Sequence, residues 1–283
     1  MRRARGLIVT VAARGLLRAA GIACIACAVA MPALGAAPAA PSAELRGSGI
    51  SAWPAQGSIR YRVRMGDAGF PVGEARHAWS HDGKRYRMEI ELQTTGVAKM
   101  LRDLSYVQRS EGSVGPGGLR PDTFAAEQTR KTPSRVAFDW KKSLVTITRG
   151  QRVRNAAIRA GDQDLLSLWH QIAIAGVPGT PLALTVVGGH HATPATVTVI
   201  GKESLELPLG RVDTVRVRAK ADDEQLSIDL WLAAAHHMLP LRVRIVDDKG
   251  EVLDQEALEL TVPAAAAAHE SRRGANTAPR ATI

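Results

Sequence analysis

The sequence predicts a mainly β protein: a curved antiparallel sheet, half-barrel or β-spiral, with two short helices. Apolar and polar residues alternate with period two over much of 53–262, which marks strands with one buried face. Turn chemistry interrupts the alternation at short intervals: His81-Asp82-Gly83, Gly115-Pro116-Gly117-Gly118, Pro208-Leu209-Gly210 and Asp247-Asp248-Lys249-Gly250. Only two stretches carry helical spacing, so strands and helices do not alternate regularly and the sheet is expected to curl or close.

The chain begins with Arg2, Arg3, Arg5, Arg14 and Arg18, then an apolar run at 19–31 and the small residues Pro32-Ala33-Leu34-Gly35-Ala36-Ala37. A positive start, an apolar stretch shorter than the roughly 20 residues of a spanning helix and a small-residue exit describe a cleaved secretory signal peptide over 1–36. Cleavage after Gly35 or Ala36 fits best. Cys24 and Cys27 lack the leucine-like residue three positions upstream that a lipoprotein signal needs. Residues 37–52, rich in Ala, Pro, Ser and Gly, read as a flexible leader.

Within 53–262, Tyr61-Arg62-Val63-Arg64-Met65 places Tyr, Val and Met on one face and two Arg on the other, and Met88-Glu89-Ile90-Glu91-Leu92 repeats the device with acids. Val215-Arg216-Val217-Arg218 and Leu241-Arg242-Val243-Arg244-Ile245 return to Arg. Further strands are expected at 74–80, 105–110, 135–140, 144–148, 182–187, 196–200, 226–232 and 252–260. A first helix over 97–104 would present Val97, Met100, Leu101 and Leu104 on one side. A longer one opens at Asp162-Gln163-Asp164 and sets Leu165, Leu168, Trp169 and Ile172 on one stripe, with Gly176 as its stop. Its central position admits two sheet-rich halves joined near 150–180. From 263 to 283 the chain runs through five alanines into a sequence without apolar pattern, read as a disordered tail.

The formal charge is +10, but removing the five arginines of 1–36 from the 37 basic residues leaves 32 against 27 acidic, a balance of +5. That surplus suits weak attraction to anionic head groups and is not the footprint of a nucleic-acid binder. Cys24 and Cys27 are the only cysteines, so the processed chain has no thiol, disulfide or Cys-based metal site.

No motif carries identifiable chemistry. His190-His191 and His236-His237 lie beside turns, and neighbours on a strand point to opposite faces, so neither pair chelates one ion easily. His77 and His81 are four apart. Glu89 and Glu91 sit on a polar strand face where Arg-bearing neighbours would neutralise them. There is no Gly-x-Ser-x-Gly elbow, no catalytic Cys after processing and no glycine-rich phosphate loop before a helix. No catalytic, cofactor-binding or metal-binding residue is assigned, no cofactor is expected, and the ligand-binding residues are left open. The Arg ladders Arg60-Arg62-Arg64, Arg216-Arg218 and Arg242-Arg244 would meet phosphates or carboxylates if exposed together, or form an ordinary face interleaved with Glu and Asp. Trp53, Trp79, Trp140, Trp169 and Trp231 sit among apolar neighbours and are assigned to the core.

A series of phrases resembles the exported bacterial family known as domain of unknown function 3108. They are Phe70-Pro71-Val72-Gly73-Glu74-Ala75, Thr94-Thr95-Gly96-Val97, Gly118-Leu119-Arg120-Pro121, Phe138-Asp139-Trp140, Asp164-Leu165-Leu166-Ser167-Leu168, and Leu230-Trp231-Leu232 followed by Leu239-Pro240-Leu241. The match covers about 57–260, and its order carries the likeness. The resemblance implies an exported β-rich protein resembling the half-barrels of periplasmic lipoprotein carriers; it supplies no catalytic residues.

The resulting expectation is a periplasmic, non-catalytic protein, not integral to the membrane after processing, that binds a lipidic or acyl-bearing envelope ligand or a lipoprotein in an apolar hollow of the sheet. The alternatives are an envelope scaffold docking a protein partner through the Arg face or a strand edge, and an envelope hydrolase.

Overall fold

The computed structural model describes residues 53–223, 226–247 and 249–263. The expected signal peptide, the expected leader and all but the first residue of the expected tail lie outside these residues.

The first run of strands is β1 (Gln56–Met65), β2 (Phe70–His81), β3 (Arg85–Thr94), β4 (Ser105–Gly115), β5 (Gly118–Gln128), β6 (Ser134–Asp139), β7 (Leu144–Arg149) and β8 (Arg152–Ala157), with α1 (Gly96–Leu101) between β3 and β4. The second is β9 (Gln163–Asp164), β10 (Leu182–Val187), β11 (Ala192–Leu207), β12 (Gly210–Ala221), β13 (Leu226–Ala233), β14 (Leu239–Asp247) and β15 (Val252–Thr261), with α2 (Ser167–Ala175) after β9 and a 3-10 turn at Ala234–His236.

All fifteen strands form one curved, open sheet in the order β8-β7-β6-β5-β4-β3-β2-β1-β15-β14-β13-β12-β11-β10-β9. Each run is a meander of neighbours, and the two join only where β1 pairs antiparallel with β15. Every pairing is antiparallel except the short one between β9 and β10. Alternate hairpins therefore share an end of the sheet. One rim holds the turns at 66–69, 95–104, 129–133, 150–151 and 188–191, the described residues 222–223 after β12, and 249–251 before β15.

Alternation is realised as the sequence implies. Ile59, Tyr61 and Val63 of β1 are 0% exposed and face inward, while Arg60, Arg62 and Arg64 face out. Met88, Val145, Val217, Leu230 and Val243 complete the same interior. Full burial of one such side chain contributes about 1.5–3 kcal/mol. Two strands carry too little alternation to be read in advance. β5 is broken by Pro121, which lies opposite Gly112 at a register shift, and β8 is exposed along nearly its whole length. Strand β11 spans 16 residues, well beyond the expected 196–200, because Gly201 absorbs a register shift where its alternation would end.

Gly112 marks a close approach. A Cβ there would stand 2.2 Å from the Arg120 carbonyl oxygen and 2.7 Å from the Tyr86 ring. Gly112→Ala is expected to cost about 1–3 kcal/mol through forced backbone displacement, measured by thermal unfolding; an unchanged melting temperature would show that the bulge relaxes freely.

Candidate functional site

Helix α2 fills the hollow of the sheet. It packs on β5 and β14, which stand six places apart in the strand order, so only the inside of the curl brings it to both. Leu166, Leu168, Trp169, Ile172 and Ala173 are buried, and so are Ser167 and His170, leaving little of the helix exposed.

Polar side chains around this helix fasten it to both runs of strands. The expected first turn, 162–164, is not helical. Gln163 and Asp164 are extended as β9 beside Val186 and Val187, and the helix starts at Ser167. Asp164 caps it from outside: one carboxylate oxygen accepts from the backbone N–H groups of Leu166 and Ser167, both at 2.8 Å. The other accepts from the Ser110 hydroxyl at 2.6 Å, and Tyr86 Oη lies 3.1 Å from Ser110 Oγ. Asp162 accepts from Thr185 N–H at 2.7 Å and Arg159 N–H at 2.8 Å. Gln163 donates to the Leu119 carbonyl at 2.9 Å, while Gln171 accepts from Leu119 N–H at 2.6 Å and donates to the Gly117 carbonyl at 2.8 Å.

A second chain of bonds crosses the interior through the histidines. Trp53 Nε1 donates to His170 Nδ1 at 2.9 Å, which leaves the His170 proton on Nε2. That proton goes to His77 Nε2 at 2.7 Å, and His77 Nδ1 donates to the Glu89 carbonyl at 3.0 Å. Each donor has an acceptor with both rings neutral. Burial holds His77 down at about 4 against the pull of the Glu89 carbonyl. Burial, then the neighbouring His77 and His81, keeps His170 well below its ordinary value. Burial lifts Asp164 to about 6 against its hydrogen bonds from Ser110, Ser167 and Leu166. His77, His170 and Asp164 are each 0% exposed, and their bonds tie the helix to the sheet.

The structure separates the other candidate residues. His81 stacks on Trp53 with ring centroids 4.4 Å apart. His190 and His191 lie in the β10–β11 turn and His236 and His237 beside β14, far from the interior pair in the strand order. Among the described residues no group of three or more His, Cys, Asp or Glu is placed to hold a metal ion. Glu89 is bound by Arg109 at 2.6 Å. The Arg ladders are interleaved with acids: Arg60 with Glu74 and Glu259, Arg62 and Arg64 with Glu256, Arg216 and Arg218 with Asp229, Arg242 with Asp254. Trp231 is buried, as expected of a core residue, but against cations rather than in the hollow. It lies on the outer face between the guanidinium groups of Arg216 and Arg242, each 4.8 Å from its ring, and donates to Glu203 at 2.6 Å. The expected acyl-sized hollow is occupied by α2. Two depressions lie instead among exposed residues, one beside Thr129 and Lys131 and the other beside Arg109, Thr123 and Arg135.

His77 and His170 have depressed values in the fold, so their contribution to stability is complete above pH 6.5; that of His77 is lost as the pH falls through about 4, and that of His170 is lost in the same direction. Asp164 has a raised value, so its contribution is complete below 3.8 and is lost as the pH rises through about 6. Asp164→Asn keeps an acceptor for the start of α2 and removes only the second dependence. Relative to the parent, its stability is expected to rise by about 3 kcal/mol from pH 3 to pH 7, read by urea unfolding, and parallel pH profiles would contradict a buried ionising Asp164. His170→Leu strands Trp53 Nε1 and His77 Nε2 and is expected to cost about 2–5 kcal/mol in the same assay at pH 7; a neutral effect would show that the histidine bonds contribute nothing net.

A crystal structure described as a beta-barrel-like protein of domain of unknown function DUF1849 from Brucella abortus is similar to this chain with a TM-score of 0.53 at 10% identity, covering 74% of this chain and 98% of that one. At that identity the likeness concerns the fold. No curated protein matches. The family model described as Protein of unknown function (DUF3108) matches residues 60–256, from Arg60 in β1 into β15, and the chain therefore belongs to the DUF3108 family.

Proposed function

We propose that the chain is an exported, non-catalytic protein of the periplasm that serves as an interaction module of the cell envelope, meeting its partner with its outer surface. The observation that carries this reading is the filled hollow. Helix α2 sits where an acyl chain or substrate would otherwise lie, held by the His77–His170 bond and by Asp164 bonded to Ser110 and the start of the helix. The Arg-rich start, apolar run and small-residue exit of 1–36 support export.

Between the two surfaces open to a partner, the geometry favours a strand edge over the Arg face. The ladder arginines are held by carboxylates on their own sheet, so a competing anion must displace an existing pair. Strand β8 ends the sheet, is paired on one side only with β7, and shows Val153 at 60% exposure between Arg152 and Arg154. Such an edge accepts an extended segment by backbone hydrogen bonds, and its two arginines favour an acidic one.

A photo-crosslinking residue at position 153, compared with one at position 209 on the opposite rim, tests this in cells after the processed N-terminus has been sequenced. The expected result is cleavage after Gly35 or Ala36 and a defined polypeptide adduct at 153 alone. Equal adducts at both positions, or none, would overturn the edge reading. A stoichiometric acyl species seen by native mass spectrometry of the periplasmic protein would restore the interior-ligand reading in its place.

A further inference from the structure

Helix α1 has no structural use for its largest side chains. None of its six residues is buried, its N-cap Thr95 makes no side-chain capping bond, and Val97, Met100 and Leu101 are exposed by 72%, 87% and 84%. Their spacing of three and four puts them on one face of the helix. Phe70, 69% exposed, begins the neighbouring strand β2, whose Val72 carbonyl accepts from Thr95 N–H at 3.2 Å. Four large apolar side chains thus stand out at one end of the sheet. A set of this size left in water usually marks a contact surface.

The same rim is charged asymmetrically. Arg102 caps α1 and is followed by Arg130 and Lys131 in the β5–β6 turn, Arg149 and Arg152 around the β7–β8 turn, and Arg154 one step along β8. Arg154 reaches His191 in the β10–β11 turn, with Nη1 at 3.2 Å from Nδ1, so the curl draws this second-run hairpin against the basic arc of the first. These cations feel one another. Lys131 is held below its ordinary value by burial and then by Arg102 and Arg149. His190 is held down by burial and then by Arg149, His191, Lys131 and Arg154. In contrast to the ladder arginines, Arg102, Arg130, Arg149, Arg152 and Arg154 have no carboxylate partner among the described residues. The carboxylates beside the arc are Asp103, and Glu127, which faces Arg109 at 3.6 Å. The rest of the rim is acidic, with Asp222, Asp223, Asp247 and Glu251 in the turns between β12 and β15.

We infer that this rim docks on an anionic lipid bilayer surface, with Val97, Met100, Leu101 and Phe70 entering the head-group region and the arc from Arg102 to Arg149 lying on lipid phosphates. Apolar side chains flanked by arginines that have no carboxylate partner among the described residues are what an interfacial anchor needs: the apolar atoms gain from leaving water, and the cations gain from the negative surface potential. The inference rests on the envelope placement proposed above.

The test is co-sedimentation of the chain as recovered from its host with vesicles of phosphatidylglycerol and phosphatidylcholine, or of phosphatidylcholine alone. Binding is expected to the anionic vesicles and to weaken with salt. Met100→Glu with Leu101→Glu, and separately Lys131→Glu with Arg149→Glu, are each expected to lower the affinity at least tenfold. Lys84→Glu, exposed in the β2–β3 turn at the opposite rim, is expected to leave it unchanged. Met100 and Leu101 are exposed, and circular dichroism of each variant checks that the fold is kept. Equal binding to both vesicle types, or variants that bind as the parent does, would overturn the inference. Because variants of the same recovered chain are compared, the result does not depend on whether 1–36 has been removed.

Discussion

The structure depends on keeping buried polar groups bonded where a single sheet has curled round a helix. Folding α2 into the hollow removes Asp162, Gln163, Asp164, Ser167 and His170 from water together, and an unpaired buried polar group costs about 1–3 kcal/mol. The fold meets this demand by giving nearly every one of them a partner on a particular strand. Asp162 binds β10, Asp164 binds β4, the Gln163 and Gln171 side chains take the backbone of β5, and His170 binds His77 on β2. Apolar packing alone would tolerate several positions of the helix; the directional bonds select one. The curvature of the sheet and the seat of the helix are thus one constraint.

That constraint also bears on function. A hollow lined by aliphatic side chains would have been suited to an acyl chain, and the sequence favours one. The residues that fill it belong to the chain itself, which on the proposed reading leaves the outside to a partner, and there the charges divide into two kinds. Arginines on the strands are matched by carboxylates at regular cross-strand positions, as with Arg216, Arg218 and Asp229. Arginines in the turns from 102 to 152 are not, which makes the rim a more responsive surface than the face.

Legibility in the sequence follows the range of the interactions. Strand β1 is plain because Ile59, Tyr61 and Val63 alternate with arginines within five residues. The apolar stripe of α2 is plain for the same reason. Asp162 and Asp164 looked like helical first-turn acids because a carboxylate just before an apolar run reads alike whether it lies in the helix or caps it from an extended strand. The histidine pair was beyond reach, since His77 and His170 are 93 positions apart and each alone resembles a buried ring of no special use. The apolar neighbours of Trp231 in sequence point to the core and say nothing of which face it takes. Only the register Arg216–Trp231–Arg242 reveals that cations cover it from the outer side. The basic rim was missed because its members come from separate turns, and none forms a run.

The seam between β1 and β15 fixes an order of events. Within each run a strand finds its neighbour across a few residues of turn, so hairpins are available as the chain grows. Arg60 and Glu259, which face each other across the seam, are 199 positions apart. Closing that loop has a large entropic cost before any contact repays it, so β1 keeps an unsatisfied edge until the last strand arrives. The sheet is thus completed by β15, and losing that strand would leave β1 and β14 each with an unpaired edge prone to association, with α2 still bridging the two runs through β2, β4 and β5.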